Sequence, residues 1–183
     1  GVICLSACLA GRMPQLLMAG DYEGAKKWAA EMKDVFGDDF YIEIQNHGID
    51  EQLQVNPRLI YLAKQNGIKL VATNDCHYLR RRDAQTQAVL MCIQMGTQLA
   101  DGRPIGFETD EFYYKDTAEM ERLFGEYEGA IENTVRINIK SYLNLWLTTA
   151  SRHNTVQVET TNELVLLCHR TLTLIYLDLY RWL

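Results

Sequence analysis

Two short runs rich in aliphatic, β-branched and aromatic residues, Phe40-Tyr41-Ile42-Glu43-Ile44 and Ile68-Lys69-Leu70-Val71-Ala72-Thr73, flank a helix-like stretch that ends at Gly67. Parallel strands need a long crossover between them, usually a helix, and the interval is long enough to hold one. The second run is nearly continuous in apolar residues, as in a strand buried on both faces. Strand, helix and strand at this spacing form a βαβ unit, which places the chain in the α/β class. Within the interval a helical segment begins near Asp50, after a turn at His47-Gly48. Pro57 would break a helix interior, so Asn56 as N-cap with Pro57 at the first helical position starts a second helix, carried by Leu59, Ile60, Leu62 and Ala63.

The flanks continue the alternation. Val2 to Leu5 reads as a strand and leads into an apolar stretch around Leu9, Leu16 and Leu17 that ends at Gly20. Asp21 can N-cap a helix in which Ala25, Trp28, Ala29, Met32 and Phe36 recur at helical spacing, with Gly37 at a C-terminal left-handed position. Downstream, a helix runs from about Arg82 through Ala84, Ala88, Val89 and Ile93 to Gly96. A loop with Gly102, Pro104 and Gly106 leads to Phe112-Tyr113-Tyr114. Asp116 or Thr117 then caps a helix with Met120, Leu123 and Phe124, and a last helix spans Tyr127 to Ile137.

From Asn138 to Leu183 the character changes, because glycine and proline vanish and leucine and threonine dominate. Ordinary turn chemistry is missing there. His169, Arg170, Asp178 and Arg181 interrupt the apolar end of this tail, whereas a spanning helix needs roughly 20 nearly uncharged residues. No membrane is expected as a partner. A net charge of −6, from 18 basic and 24 acidic residues, argues against a surface that collects nucleic acid by itself. The five cysteines, Cys4, Cys8, Cys76, Cys92 and Cys168, are scattered and never form a C-x-x-C pair, which suits reduced thiols in the cytoplasm. The opening Gly1 to Leu5 looks like a strand already under way, as in a truncated chain.

Chemistry concentrates in Thr73-Asn74-Asp75-Cys76-His77, directly after the second strand. If the backbone stays extended, Asp75 and His77 point to one side, and a carboxylate and an imidazole converge where α/β folds build their sites. His47, just past the strand Phe40 to Ile44, occupies an equivalent position and is a candidate third ligand. Oxygen and nitrogen donors of this kind suit zinc, manganese or iron. The alternative is that Asp75 caps a turn and both histidines are ordinary polar residues. Cys76 would face the other way as a packing thiol, and Tyr41 and Glu43 share the strand face of His47. Arg80-Arg81-Arg82 could meet a phosphate but is more simply a solvated helix start, and Asp38-Asp39 and Asp110-Glu111 read as structural. No P-loop, G-x-G-x-x-G or G-x-S-x-G is present, and no catalytic or cofactor-binding residue is assigned.

Several segments, in order, resemble the alpha subunit of bacterial DNA polymerase III: Gly1-Val2-Ile3-Cys4-Leu5-Ser6-Ala7-Cys8-Leu9-Ala10-Gly11, Gly37-Asp38-Asp39 through His47-Gly48, and Leu70 through Tyr78. Phe107-Glu108-Thr109-Asp110-Glu111-Phe112-Tyr113 and Glu132-Asn133-Thr134-Val135 extend the likeness to about residue 137. The resemblance implies the later half of a PHP domain, a distorted βα barrel with metals at the carboxyl ends of its strands, running into the start of the polymerase linker. It implies His47 as a single-histidine ligand and Asp75 and His77 as the closing Asp-x-His pair.

The family's opening His-x-His motif and further ligands have no counterpart here, so an incomplete site and an open barrel with unpartnered strand edges are expected. The magnesium-binding carboxylates of the polymerase belong to a later domain of the family. DNA, nucleoside triphosphates and holoenzyme subunits would be met through other parts of the parent. Its PHP domain would either hydrolyse phosphoesters, as a 3′–5′ exonuclease or a pyrophosphatase, or serve as a scaffold without chemistry. Residues 138–183 match nothing in the family; a frame change, a chimeric join or a lineage-specific extension would each account for them.

Overall fold

The computed structural model describes residues 2–97 and 106–150. The chain divides into two compact units, residues 1–133 and 134–183. The first holds a three-stranded parallel sheet in the order β1 (Cys4–Leu5), β2 (Phe40–Ile44) and β3 (Lys69–Ala72). Between β1 and β2 lie α1 (Arg12–Met18) and α2 (Tyr22–Phe36), and α3 (Asp50–Asn66) makes the crossover to β3. Then follow α4 (Ala84–Met95), α5 (Thr117–Phe124) and α6 (Ala130–Ala150).

The period of two in β2 sorts its side chains. Phe40, Ile42 and Ile44 join Met13 and Leu17 of α1, Ala25 and Ala29 of α2 and Leu59 and Leu62 of α3 in one core. Each large apolar side chain fully buried there contributes roughly 1.5–3 kcal/mol. Tyr41, Glu43 and Gln45, on the opposite face, are buried too. As the sequence predicts, Asp21 caps α2, its Oδ1 accepting from Gly24 N–H at 2.8 Å. Gly37 has φ +57° but ψ −127°, outside the left-handed helical well, and turns the chain through a short 3-10 segment straight into Phe40. Only glycine adopts that combination readily.

Two expected helix boundaries are corrected. Asp50 to Asn66 is one helix with Pro57 inside it, not two. Asn56 is no N-cap, because its Nδ2 donates to the Gln45 carbonyl at 2.8 Å. Val55, Leu59, Leu62 and Ala63 keep one buried face on both sides of Pro57, whose ring, like Leu53 one turn before it, is on the exposed side. Packing has overridden the local helix break. The last helix begins at Ala130 and does not stop at Ile137 but runs to Ala150, through a stretch without the glycine or proline that would end it.

At β3, Thr73 N–H donates to the Ile44 carbonyl at 3.2 Å, so odd-numbered residues bond toward β2 and the backbone groups of Leu70 face the outer edge. The Leu70 carbonyl is not left without a partner there, as an open barrel would leave it: Asn133, near the start of α6, donates to it from Nδ2 at 2.9 Å.

Candidate metal centre

The loops after β2 and β3 emerge side by side because the strands are parallel neighbours, which brings His47 next to Asn74-Asp75-Cys76-His77. β3 ends at Ala72, and Asp75 has φ +44°, so the extended backbone expected between Asp75 and His77 is not kept. The two side chains still converge, with His77 Nε2 lying 3.5 Å from Asp75 Oδ1, both partly exposed. Two donors bound at about 2.1 Å in a tetrahedral site stand about 3.4 Å apart. The pair's spacing is close to that value, and it is equally the spacing of a direct contact between the two side chains. Burial pushes the Cys76 thiol up, away from the thiolate a metal would need.

His47 is differently disposed. It is 1% exposed and both ring nitrogens are engaged. Nε2 lies 2.6 Å from the Asn74 carbonyl oxygen, which can only accept, so Nε2 carries the proton. Nδ1 then accepts from Gln52 Nε2 at 2.8 Å, while Gln52 Oε1 accepts from the His47 backbone N–H at 2.6 Å. Burial lowers the His47 pKa, opposed by its bond to Asn74, and the neutral form fits both bonds. With a carbonyl oxygen at 2.6 Å, no cation can reach Nε2 in this conformation. Among the described residues, no group of three or more His, Cys, Asp or Glu side chains is placed to hold a metal ion.

Segment 107–115 packs over His47 and against one side of His77. Phe112 stacks on His47 with centroids 4.0 Å apart and planes 7° apart, Phe107 stacks on Phe112, and Phe112 meets His77 edge-on. Thr109 Oγ1 donates to the His47 carbonyl at 2.7 Å, and His77 N–H donates to the Phe112 carbonyl at 2.8 Å. Asn74 joins the loops to this segment, donating from Nδ2 to the Tyr113 carbonyl at 3.0 Å. Lys115 is buried beneath it, donating to the Glu111 carbonyl, with Nζ 3.5 Å from Asn74 Oδ1 and 4.5 Å from the Tyr113 ring. Burial pulls the Lys115 pKa down, and Glu111 acts against it.

A model of the PHP domain family matches residues 1–47. The DNA polymerase III alpha subunits of Borreliella burgdorferi and Treponema pallidum are each 45% identical to this chain over 75% of it, and that of Thermus aquaticus is 43% identical over 75%. Over that stretch the chain belongs to the DNA polymerase III alpha-subunit family. It spans about 12% of the length of these relatives. A second model, described as NAD-specific glutamate dehydrogenase, matches residues 126–183, less than half of the chain. The parallel sheet and its helices are part of a PHP-type α/β fold.

Arg81, Asp110, Glu111 and Glu43, singled out in the sequence, have structural partners. Arg81 bonds Asp110 at 2.9 Å, Glu111, and the Tyr113 hydroxyl at 3.1 Å, and these contacts raise its pKa. The arginine run therefore anchors the covering segment through Arg81, and Asp110-Glu111 is its counterpart. Glu43 accepts from Gln45 Nε2 at 2.8 Å and from Thr73 Oγ1, and burial raises its pKa. His153, His169, Cys168 and the Gly102-Pro104 loop lie outside the described residues. Of the described cysteines, Cys4, Cys8, Cys76 and Cys92 form no disulfide. No helix among the described residues is long and apolar enough to cross a membrane.

Gln52, Asn74 and Lys115 were not singled out from the sequence. Asn74 and the Phe107 to Tyr113 motif were visible as family likeness, but nothing in residue type announced that they tie His47 in place.

Proposed function

We propose that residues 1–137 are a piece of the PHP domain of a replicative DNA polymerase, working in the cytoplasm, and that His47, Asp75 and His77 are its contribution to a divalent-metal site. The intact parent extends DNA primers as a DNA-directed DNA polymerase, with magnesium held in its own separate site, and meets DNA, nucleoside triphosphates and holoenzyme subunits through other parts. The observation that carries the metal assignment is the 3.5 Å approach of His77 Nε2 to Asp75 Oδ1 at the carboxyl end of β3. Zinc, manganese and iron suit the donor set.

A bound divalent cation supplies Lewis acidity toward a phosphate oxygen, as phosphoester hydrolysis by an exonuclease or pyrophosphatase requires. The chain's own part is to hold the Asp75 carboxylate and the His77 imidazole at ligand spacing, with the Phe107 and Phe112 rings packed against His77. Three donors are too few for a multi-metal hydrolase, so this chain alone catalyses nothing. The buried, doubly bonded His47 favours a second reading, in which the PHP portion is a scaffold for the polymerase.

Elemental analysis of the dialysed chain, beside Asp75→Ala and His77→Ala, tests the metal assignment. Stoichiometric metal in the wild type, lost in both variants with unchanged circular dichroism, is expected. Metal retained in both variants, or absent from the wild type, leaves the scaffold.

A further inference from the structure

Of α1 to α6, α4 alone carries no charged residue; of its twelve residues only Gln85, Thr86, Gln87 and Gln94 are polar. At about 100° per residue, Ala88 and Cys92 share one side of this helix, and Thr86, Val89, Leu90 and Ile93 share the opposite one. Cys92 is buried, and Ala88 passes close to Gly106, where an added Cβ would stand 3.4 Å from its own. The other side meets water, with Val89 43%, Leu90 55% and Ile93 73% exposed. Single exposed apolar residues are ordinary, but three in one stripe on a helix without a charge mark a face that binds something.

The size of the stripe selects its occupant. Twelve residues make a helix about 18 Å long, and a stripe roughly 10 Å wide along it covers about 180 Å². A partner that binds from solution needs roughly 800 Å² on each side, so neither a free protein nor a second copy would be held by this face alone. A segment of the same polypeptide would be, because its tether supplies an effective concentration of about millimolar. Most of such a polypeptide lies outside this chain, which spans about 12% of its relatives. Their match of 137 residues, in a chain of 183, includes α4 wherever it begins. We propose that Val89, Leu90 and Ile93 dock an apolar, uncharged helix face from the polymerase portion of the parent chain; this rests on the reading of residues 1–137 as a piece of a longer polymerase, not on the metal assignment. Residues one turn apart form the ridges that a second helix fits between, and a charged group laid against them would lose its water without finding a partner.

Amide hydrogen exchange tests this by comparing the free 183-residue chain with a chimera, the full-length alpha subunit of a 45%-identical relative carrying residues 1–137 of this chain in place of its own. In the chimera α4 is expected to exchange more slowly than in the free chain by about tenfold or more, because a docked helix must be uncovered before it opens. Leu90→Glu with Ile93→Glu should abolish that slowing in α4 while β2 and β3 keep their protection, and should leave the urea midpoint of the free chain unchanged. Equal exchange of α4 in a chimera that extends primers overturns the docking alone. Slow exchange of α4 already in the free chain, or unfolding of that chain by the two glutamates, also overturns it, since the face is then covered from within or by a second copy. A chimera that fails to extend primers overturns the reading of residues 1–137 as a polymerase piece, and the docking with it.

Discussion

Pro57→Ala is expected to stabilise the chain. Pro57 sits at the eighth residue of α3, where it lacks the N–H that would pair with the Leu53 carbonyl four residues back. Its ring is exposed and Leu53 is 54% exposed, so alanine removes little packing and opens no cavity. Against the gain of up to about 3 kcal/mol in helix propensity stands the loss of proline's restraint on the unfolded chain, about 0.4–1 kcal/mol. The backbone has already adapted to the ring, and a net gain of about 2 kcal/mol follows. At about 2–4 °C per kcal/mol for a chain of this size, the melting temperature should rise by roughly 4–8 °C. Thermal and urea unfolding of both proteins, followed by circular dichroism at 222 nm, measure it. A lower melting temperature in Pro57→Ala would show that the ring is needed to shape α3, and that a continuous apolar face does not explain why one helix replaces two.

Leu62→Ala, in the core with the side chain 0% exposed, should cost about 2–5 kcal/mol in urea unfolding; a loss below about 1 kcal/mol would mean that α3 is not packed on the sheet as described. His47 has a pKa below its ordinary 6.5, so as pH falls through about 6.5 the unfolded chain takes up a proton that the folded one resists. Stability should therefore drop from pH 7 toward the depressed folded value, and the drop should be smaller in His47→Gln; equal slopes in the two proteins would place His47 in contact with solvent.

What the sequence could show was whatever depends on neighbours in the chain. The alternation in Phe40 to Ile44, the Asp21 cap, the Gly67 and Gly96 helix ends and the Asp116 cap are local, and the structure has each of them. Pro57 and the end of the last helix were misjudged because a long-range apolar face kept α3 whole and nothing in the sequence stops α6. At the candidate site, spacing predicts that the Asp75 and His77 side chains converge, and they lie 3.5 Å apart, although the expected extended backbone is interrupted by a positive φ at Asp75. The surroundings of His47 were invisible for a different reason. Its partners Gln52, Asn74 and Phe112 come from three separate segments, and only folding brings a glutamine, a backbone carbonyl and an aromatic face to one ring.

The bond from Asn133 to Leu70 bears on how this sheet ends. An outward carbonyl on a parallel edge strand invites a further strand, from the same molecule or from another, and such edges are where proteins join into aggregates. A side-chain amide is the chemical twin of a peptide group, and Asn133 presents its N–H where the next strand would present a backbone one. A helix thereby closes the edge at that point without adding a strand, and any chain seeking to extend the sheet there must first displace it.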